Sequence, residues 1–214
     1  MHETFVEKDT FLYRVARVLS FLAFHTLFPV RYHGKENLKD VNAPYVIIAN
    51  HVHAMDPFIC AYPVKHQQCY FLGKKELGKN RFVRFLMDHL HCILVDRHHA
   101  DMEAMRACMK AMKMNKVLVI FPEGTRHHEG QMEHIESGTG LIVMRSKVPM
   151  IPMYIDRPLK LFRKVNVYIG KPIEYEDILS NGINTASCEA LNDRMRDTFR
   201  EIIRKTEEGN KKIA

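Results

Sequence analysis

The sequence predicts an α/β fold: a single domain with a central mixed, mostly parallel sheet flanked by helices, plus an N-terminal amphipathic helix. Three observations carry this. Short runs rich in Val, Ile, Leu and Phe alternate with segments of helical period along the whole chain. Two of those runs, within residues 44–49 and 116–121, are apolar at nearly every position, the pattern of buried strands. Polar clusters then follow three strands, at residues 50–56, 96–97 and 123–126, as expected where the carboxyl ends of parallel strands gather along one edge.

Taken in order, residues 9–28 read as a helix that Asp9 or Thr10 can cap and Pro29 stops. Phe11, Leu12, Val15, Val18, Leu19, Leu22 and Phe28 give it a very broad apolar face, with Arg14 and Arg17 near its start. That face is too wide for one-sided contact with a core. It favours a helix lying in a bilayer interface, its arginines at headgroup level. The most apolar part, residues 18–30, is broken by Ser20, His25, Thr26 and Pro29 and falls short of the roughly 20 residues a span requires. Residues 1–29 therefore read as a membrane-association segment and 30–214 as the main domain. No secretory leader is expected from the first residues.

Strands are expected at 30–33, 44–49, 68–72, 92–95, 116–121, 150–155 and 165–169. Helices are expected from residue 57, at 81–89, 101–114, 138–146 and 185–205, with the last residues solvated. The helix at 101–114 carries Ala104, Met105, Cys108 and Met112 on one stripe, which reads as soft core packing.

Composition narrows the function class. The 214 residues are 46% hydrophobic and 27% charged, a globular balance, with a net charge of +7. Excess positive charge suits nucleic acid, anionic lipid or phosphorylated small molecules. The basic residues are dispersed and no nucleic-acid recognition motif accompanies them, so nucleic acid is not an expected partner. Five cysteines without a C-x-x-C pair suggest free thiols in a reducing compartment. Thirteen histidines invite a metal-dependent hydrolase built from His51, His53, Asp56, His127, His128 and His134. No H-E-x-x-H or other tight ligand spacing supports one, and no metal is expected.

Two clusters carry chemistry. His51 and Asp56 have the logic of a base and its orienter: an imidazole takes a proton from a hydroxyl while a carboxylate fixes its other nitrogen. Asp56 followed by Pro57 reads equally well as a helix cap. Glu123-Gly124-Thr125-Arg126 offers a close-approach glycine, a hydroxyl and a planar guanidinium, a set that suits a phosphate; a tight turn with a surface arginine would look the same. Arg97 would add a second fork, and Lys74 and Lys75 add local positive charge or a solvated turn.

Asn50-His51 with Asp56, at H-x-x-x-x-D spacing, resembles the first sequence block of the glycerolipid acyltransferases, the 1-acylglycerol-3-phosphate (lysophosphatidate) acyltransferases and their relatives. Phe121-Pro122-Glu123-Gly124-Thr125-Arg126 looks like their third block without departure. Gly73-Lys74-Lys75-Glu76-Leu77 and Asp96-Arg97 are similar to the second block, and Val148-Pro149-Met150-Ile151-Pro152 to the fourth. The resemblance covers residues 30–170. It implies an enzyme of phospholipid synthesis, peripheral or monotopic at the cytoplasmic face of a membrane. Such an enzyme moves a fatty acyl chain from acyl-CoA or acyl-carrier protein to a hydroxyl of lysophosphatidate, or of glycerol 3-phosphate or another lysolipid. By the same resemblance His51 is the general base and Asp56 its orienter. Glu123, Gly124, Thr125 and Arg126 bind the acceptor phosphate with help from Arg97 and Lys74, and no cofactor or covalent acyl-enzyme is required. Glu136 departs from the family, which often carries Lys or Arg at that place, and His127-His128-Glu129 is an unusual insert. Both bear on the acceptor headgroup. A basic module that binds lipid or nucleic acid without catalysis is the expectation from another class.

Overall fold

A computed structural model describes residues 7, 9–64, 67–96, 101–126 and 132–211. In chain order the elements are α1 (Phe11–Thr26), β1 (Val30–His33), β2 (Tyr45–Ala49), α2 (Asp56–Ala61), β3 (Cys69–Lys74), α3 (Arg81–His89), β4 (Cys92–Val95), α4 (Met102–Lys113), β5 (Val117–Ile120), α5 (Ser137–Ser146), β6 (Met150–Ile155), β7 (Val165–Ile169), α6 (Glu176–Leu179) and α7 (Thr185–Lys211). Short 3-10 turns occupy Lys35–Leu38 and Lys75–Lys79.

The strands form one seven-stranded sheet in the order β1-β7-β6-β2-β5-β3-β4. β2 pairs in parallel with β5 and β6, and β3 in parallel with β5 and β4. β7 runs antiparallel to β6, and β1 runs parallel to β7. The sheet is thus mixed and mostly parallel, the expected class. The carboxyl ends of β2, β3, β4, β5 and β6 all emerge on one edge.

Every residue of β2, β5 and β6 is buried, because helices cover both faces. Strand alternation divides the core in two. Val46, Ile48, Leu118, Ile120 and Met150 face Cys108 of α4, Val143 of α5 and Leu191, Met195 and Phe199 of α7. Tyr45, Ile47, Val117, Val119 and Ile151 face Tyr13 and Phe24 of α1 and Ile59 and Cys60 of α2.

Helix α1 begins as expected. Thr10 caps it, its hydroxyl accepting from the Tyr13 N–H at 3.0 Å while donating to the His89 carbonyl at 2.5 Å. Its buried stripe is narrow, consisting of Tyr13, Ser20 and Phe24. Phe11 (83% exposed), Val18 (59%), Leu19 (59%) and Leu22 (52%) stay outside. No helix among the described residues is long and apolar enough to cross a membrane.

Three details differ from the sequence reading. β3 runs on through Gly73 and Lys74 because both pair with β4, opposite Leu94 and Val95. Gly73 is required there, since a Cβ would lie 2.5 Å from the Cys92 sulfur. α7 extends to Lys211, carried by Glu201–Lys205 and Arg204–Glu208 pairs one turn apart. The short α6 was not anticipated; it is tied to α7 by Arg194, whose guanidinium grips Asp177 at 2.5 and 2.7 Å.

Candidate active site

β2 delivers Asn50 and His51 to the carboxyl edge of the sheet. Asn50 is fully buried. Its side-chain amide donates to the Ile155 carbonyl at 2.9 Å and accepts from the Ile155 N–H at 2.7 Å. The side chain thus extends the β2–β6 ladder by one rung and holds the start of the loop rigid.

His51 follows, with its imidazole partly exposed. Its Nδ1 lies 2.8 Å from Oδ2 of Asp56, which is fully buried. The same Oδ2 accepts from the Val52 and His53 N–H groups, each at 2.7 Å. The other oxygen, Oδ1, is buried without a hydrogen-bond partner among the described residues. The cap expected of Asp56 is therefore absent: the carboxylate turns back onto the loop that precedes α2, and the helix starts without a side-chain cap. In a neutral imidazole whose Nδ1–H donates to Asp56, the lone pair lies on Nε2. Phe121 stacks on the imidazole, ring centroids 4.4 Å apart, and walls one face of it.

β5 lies beside β2 and supplies the second cluster. Glu123, only 3% exposed, accepts from the His51 backbone N–H through Oε2 at 2.9 Å. Two residues some seventy apart in sequence are thus directly bonded. Gly124 turns the chain with a left-handed φ of 68° and donates to the Phe121 carbonyl at 3.1 Å. Glu136 lies against it: a Cβ on Gly124 would come within 2.5 Å of Glu136 Oε1. Glu136 is held there by its own N–H, which donates to the Pro122 carbonyl at 2.9 Å just before α5. Thr125 and Arg126 leave this turn exposed to solvent.

A buried carboxylate on a partly exposed imidazole at one strand end, with an exposed hydroxyl and guanidinium at the next, is an arrangement that can support proton transfer beside an anion. A family model described as acyltransferase matches residues 29–156, more than half of the chain. The chain belongs to the acyltransferase family. Among its relatives is a 1-acyl-sn-glycerol-3-phosphate acyltransferase of Streptococcus pneumoniae, 25% identical over 210 residues that cover 95% of this chain and 77% of that one. One of the same name from Bacillus subtilis is 27% identical over 176 residues, 78% of this chain and 87% of that one. The crystal structure of the 1-acyl-sn-glycerophosphate (LPA) acyltransferase PlsC from Thermotoga maritima shares the fold, with a TM-score of 0.62 and 21% identity over 88% of this chain and 78% of that one.

The side chains of the remaining candidates of this acyltransferase are not joined to this cluster by any hydrogen bond among the described residues. Lys74 ends β3, one strand beyond β5, and is exposed on the same edge. Lys75 beside it pairs with Asp96 at 3.3 Å. Arg97, His127 and His128 lie outside the described residues. His53 is used locally, its Nδ1 accepting from the Met55 N–H at 3.2 Å. Among the described residues no group of three or more His, Cys, Asp or Glu side chains is placed to hold a metal ion.

No cysteine is poised as a nucleophile. Burial pushes the Cys69, Cys92 and Cys108 thiols up to about 12, and burial followed by the nearby Asp56 charge raises Cys60. Asn50 and Phe121 stand in the motif blocks and Glu136 beside them, but the clamp, the stacking and the contact with Gly124 are not legible in the sequence. Their roles depend on which strand lies beside β2, and only the strand order reveals that.

Proposed function

We propose that this acyltransferase moves a fatty acyl chain from a thioester donor, acyl-CoA or acyl-carrier protein, to the free hydroxyl of lysophosphatidate, with His51 as general base. The observation that carries this is the 2.8 Å contact of His51 Nδ1 with the buried Asp56, at a strand end that faces solvent. Nε2 takes the hydroxyl proton as the acceptor oxygen attacks the thioester carbonyl. Asp56 stabilises the imidazolium that forms. The carbon–sulfur bond then breaks, the new ester is left behind, and the imidazolium returns its proton to the leaving thiolate. Holding both substrates beside Nε2 supplies the proximity term.

Thr125 and Arg126 take the acceptor phosphate, Gly124 allows its close approach, Lys74 adds positive charge at that edge, and Arg97 serves as a second guanidinium for the phosphate. Glu123 takes a different part from the phosphate contact expected of it. A carboxylate repels phosphate, and its bond to the His51 N–H makes it a positioning residue. The names of the relatives support lysophosphatidate as acceptor. A second acceptor, another lysolipid, is favoured by one observation: the Glu136 carboxylate lies against Gly124 in the phosphate turn, which suits a less anionic headgroup. The enzyme works from the cytoplasmic face of a membrane, held peripherally through the exposed apolar side of α1.

His51→Ala should reduce transfer from labelled acyl-CoA to lysophosphatidate by at least about a hundredfold, the low end of a general-base contribution. Full activity in that variant would sink the assignment. Arg126→Ala should raise the acceptor KM and leave the donor KM nearly unchanged. Running lysophosphatidate, glycerol 3-phosphate and other lysolipids against both donors decides the acceptor.

A further inference from the structure

The loop between β6 and β7 carries a feature that the chemistry above does not use. Residues 160–164 read Lys-Leu-Phe-Arg-Lys, and all five are exposed. The Arg163 N–H donates to the Lys160 carbonyl at 3.0 Å, closing a tight turn with Leu161 and Phe162 at its tip. Leu161 is 58% and Phe162 71% exposed. Lys160, Arg163 and Lys164 form no ion pair among the described residues. Phe162 also holds a left-handed backbone, φ 55°, which glycine adopts freely and phenylalanine adopts at a cost. Stability alone would place glycine there.

The turn is fastened at both sides. The Phe162 N–H donates to the Leu27 carbonyl at the end of α1, 2.7 Å away. Upstream, Ile155 is the residue clamped by Asn50, the neighbour of His51. The turn is therefore rigidly related both to the exposed apolar side of α1 and to the catalytic edge.

We propose that this turn is a second membrane-insertion point: Leu161 and Phe162 enter the acyl region of an anionic bilayer while Lys160, Arg163 and Lys164 bind lipid phosphates. The proposal rests on the membrane reading of α1. Two adjacent apolar side chains collared by unpaired cations match the two layers of a lipid surface, apolar below and anionic above. An acidic protein would pair the cations but give the tip no apolar medium. Anchorage at both places holds the His51 edge at the lipid, where an acyl-chain acceptor resides.

The chain contains no tryptophan, so single substitutions report cleanly. Phe162→Trp and, separately, Phe11→Trp on α1 are mixed with vesicles of phosphatidylcholine with or without phosphatidylglycerol, some bearing brominated acyl chains. Both should blue-shift and be quenched by bromine, the turn more strongly with phosphatidylglycerol. A shift at residue 11 with none at 162 overturns the second insertion point and leaves the α1 reading standing. A shift at 162 alone supports the turn and removes α1 as the anchor. No shift at either overturns both. Replacing Lys160, Arg163 and Lys164 with Gln should weaken binding to the anionic vesicles at least about tenfold, and equal binding overturns the headgroup contact. Phe162→Gly relieves the backbone and so should keep or raise Tm while weakening vesicle binding. Unchanged binding in that variant overturns insertion without ambiguity from misfolding.

Discussion

At the scale of single residues, the site depends on groups that orient others. Asp56 Oδ2 collects one imidazole and two backbone donors, so the imidazole is fixed to the loop it grows from. Glu123 fixes the same loop from the neighbouring strand. Gly124 is needed on two counts, its positive φ and the 2.5 Å that a Cβ would leave to Glu136. Gly124→Ala should cost about 1–2 kcal/mol from the backbone alone, read as a fall of several degrees in Tm. It should lower activity more than stability, because Thr125 and Arg126 are redirected. Adding Glu136→Ala should relieve the clash but not the backbone term, and full recovery of Tm would refute that division. The motif residues were legible in the sequence because the chemistry demands those residue types. Their partners were not, because a carboxylate such as Glu123 reads the same whether it faces a phosphate or an N–H.

At the scale of elements, the clearest lesson is α1. Its breadth of apolar residues was legible, and the structure buries only one narrow stripe of it. Leu19→Gln with Leu22→Gln should release the protein from vesicles and leave Tm within about a degree, since both side chains are exposed. A large fall in Tm would show that these residues pack rather than bind. Helix α6 packs Ile178 into the core and adds a charge pair to α7. The Arg194 guanidinium hydrogen-bonded to Asp177 lowers that carboxyl from 3.8 to about 2. A lowered folded-state pKa stabilises above the unfolded value and is lost as pH falls through the folded one. Asp177→Asn should therefore reduce Tm slightly at neutral pH, slightly because the pair is exposed. The difference from the parent should vanish as pH falls from 3.8 to about 2, and a difference that persists below that window would contradict the pairing.

At the scale of the whole molecule, polarity is divided between the two sides. α1, α3 and the β6–β7 turn carry most of the exposed large apolar residues, Phe82 and Phe85 of α3 among them. α7 on the opposite layer is laced with ion pairs, including Arg194–Asp177, Arg200–Glu133 and Lys205–Glu201. Thr10 joins α1 to α3 through the His89 carbonyl, and Phe162 joins the turn to α1 through Leu27. The apolar elements are therefore linked to one another by direct bonds, as one docking side requires.

Residue order alone determined the fold class, the seven strands, the placing of His51 and Asp56 at a strand end, and the turn at residues 123–126. These follow from local period and from chemistry that tolerates few residue types. Only the tertiary structure decided that β5 and β6 flank β2, that Asn50 and Glu123 therefore hold the His51 loop from either side, and that Asp56 turns away from its helix. It also decided that Leu161 and Phe162 stand exposed beside the end of α1. Each of these is a contact between residues distant in the chain, and periodicity along a sequence carries no information about which strand will lie beside which.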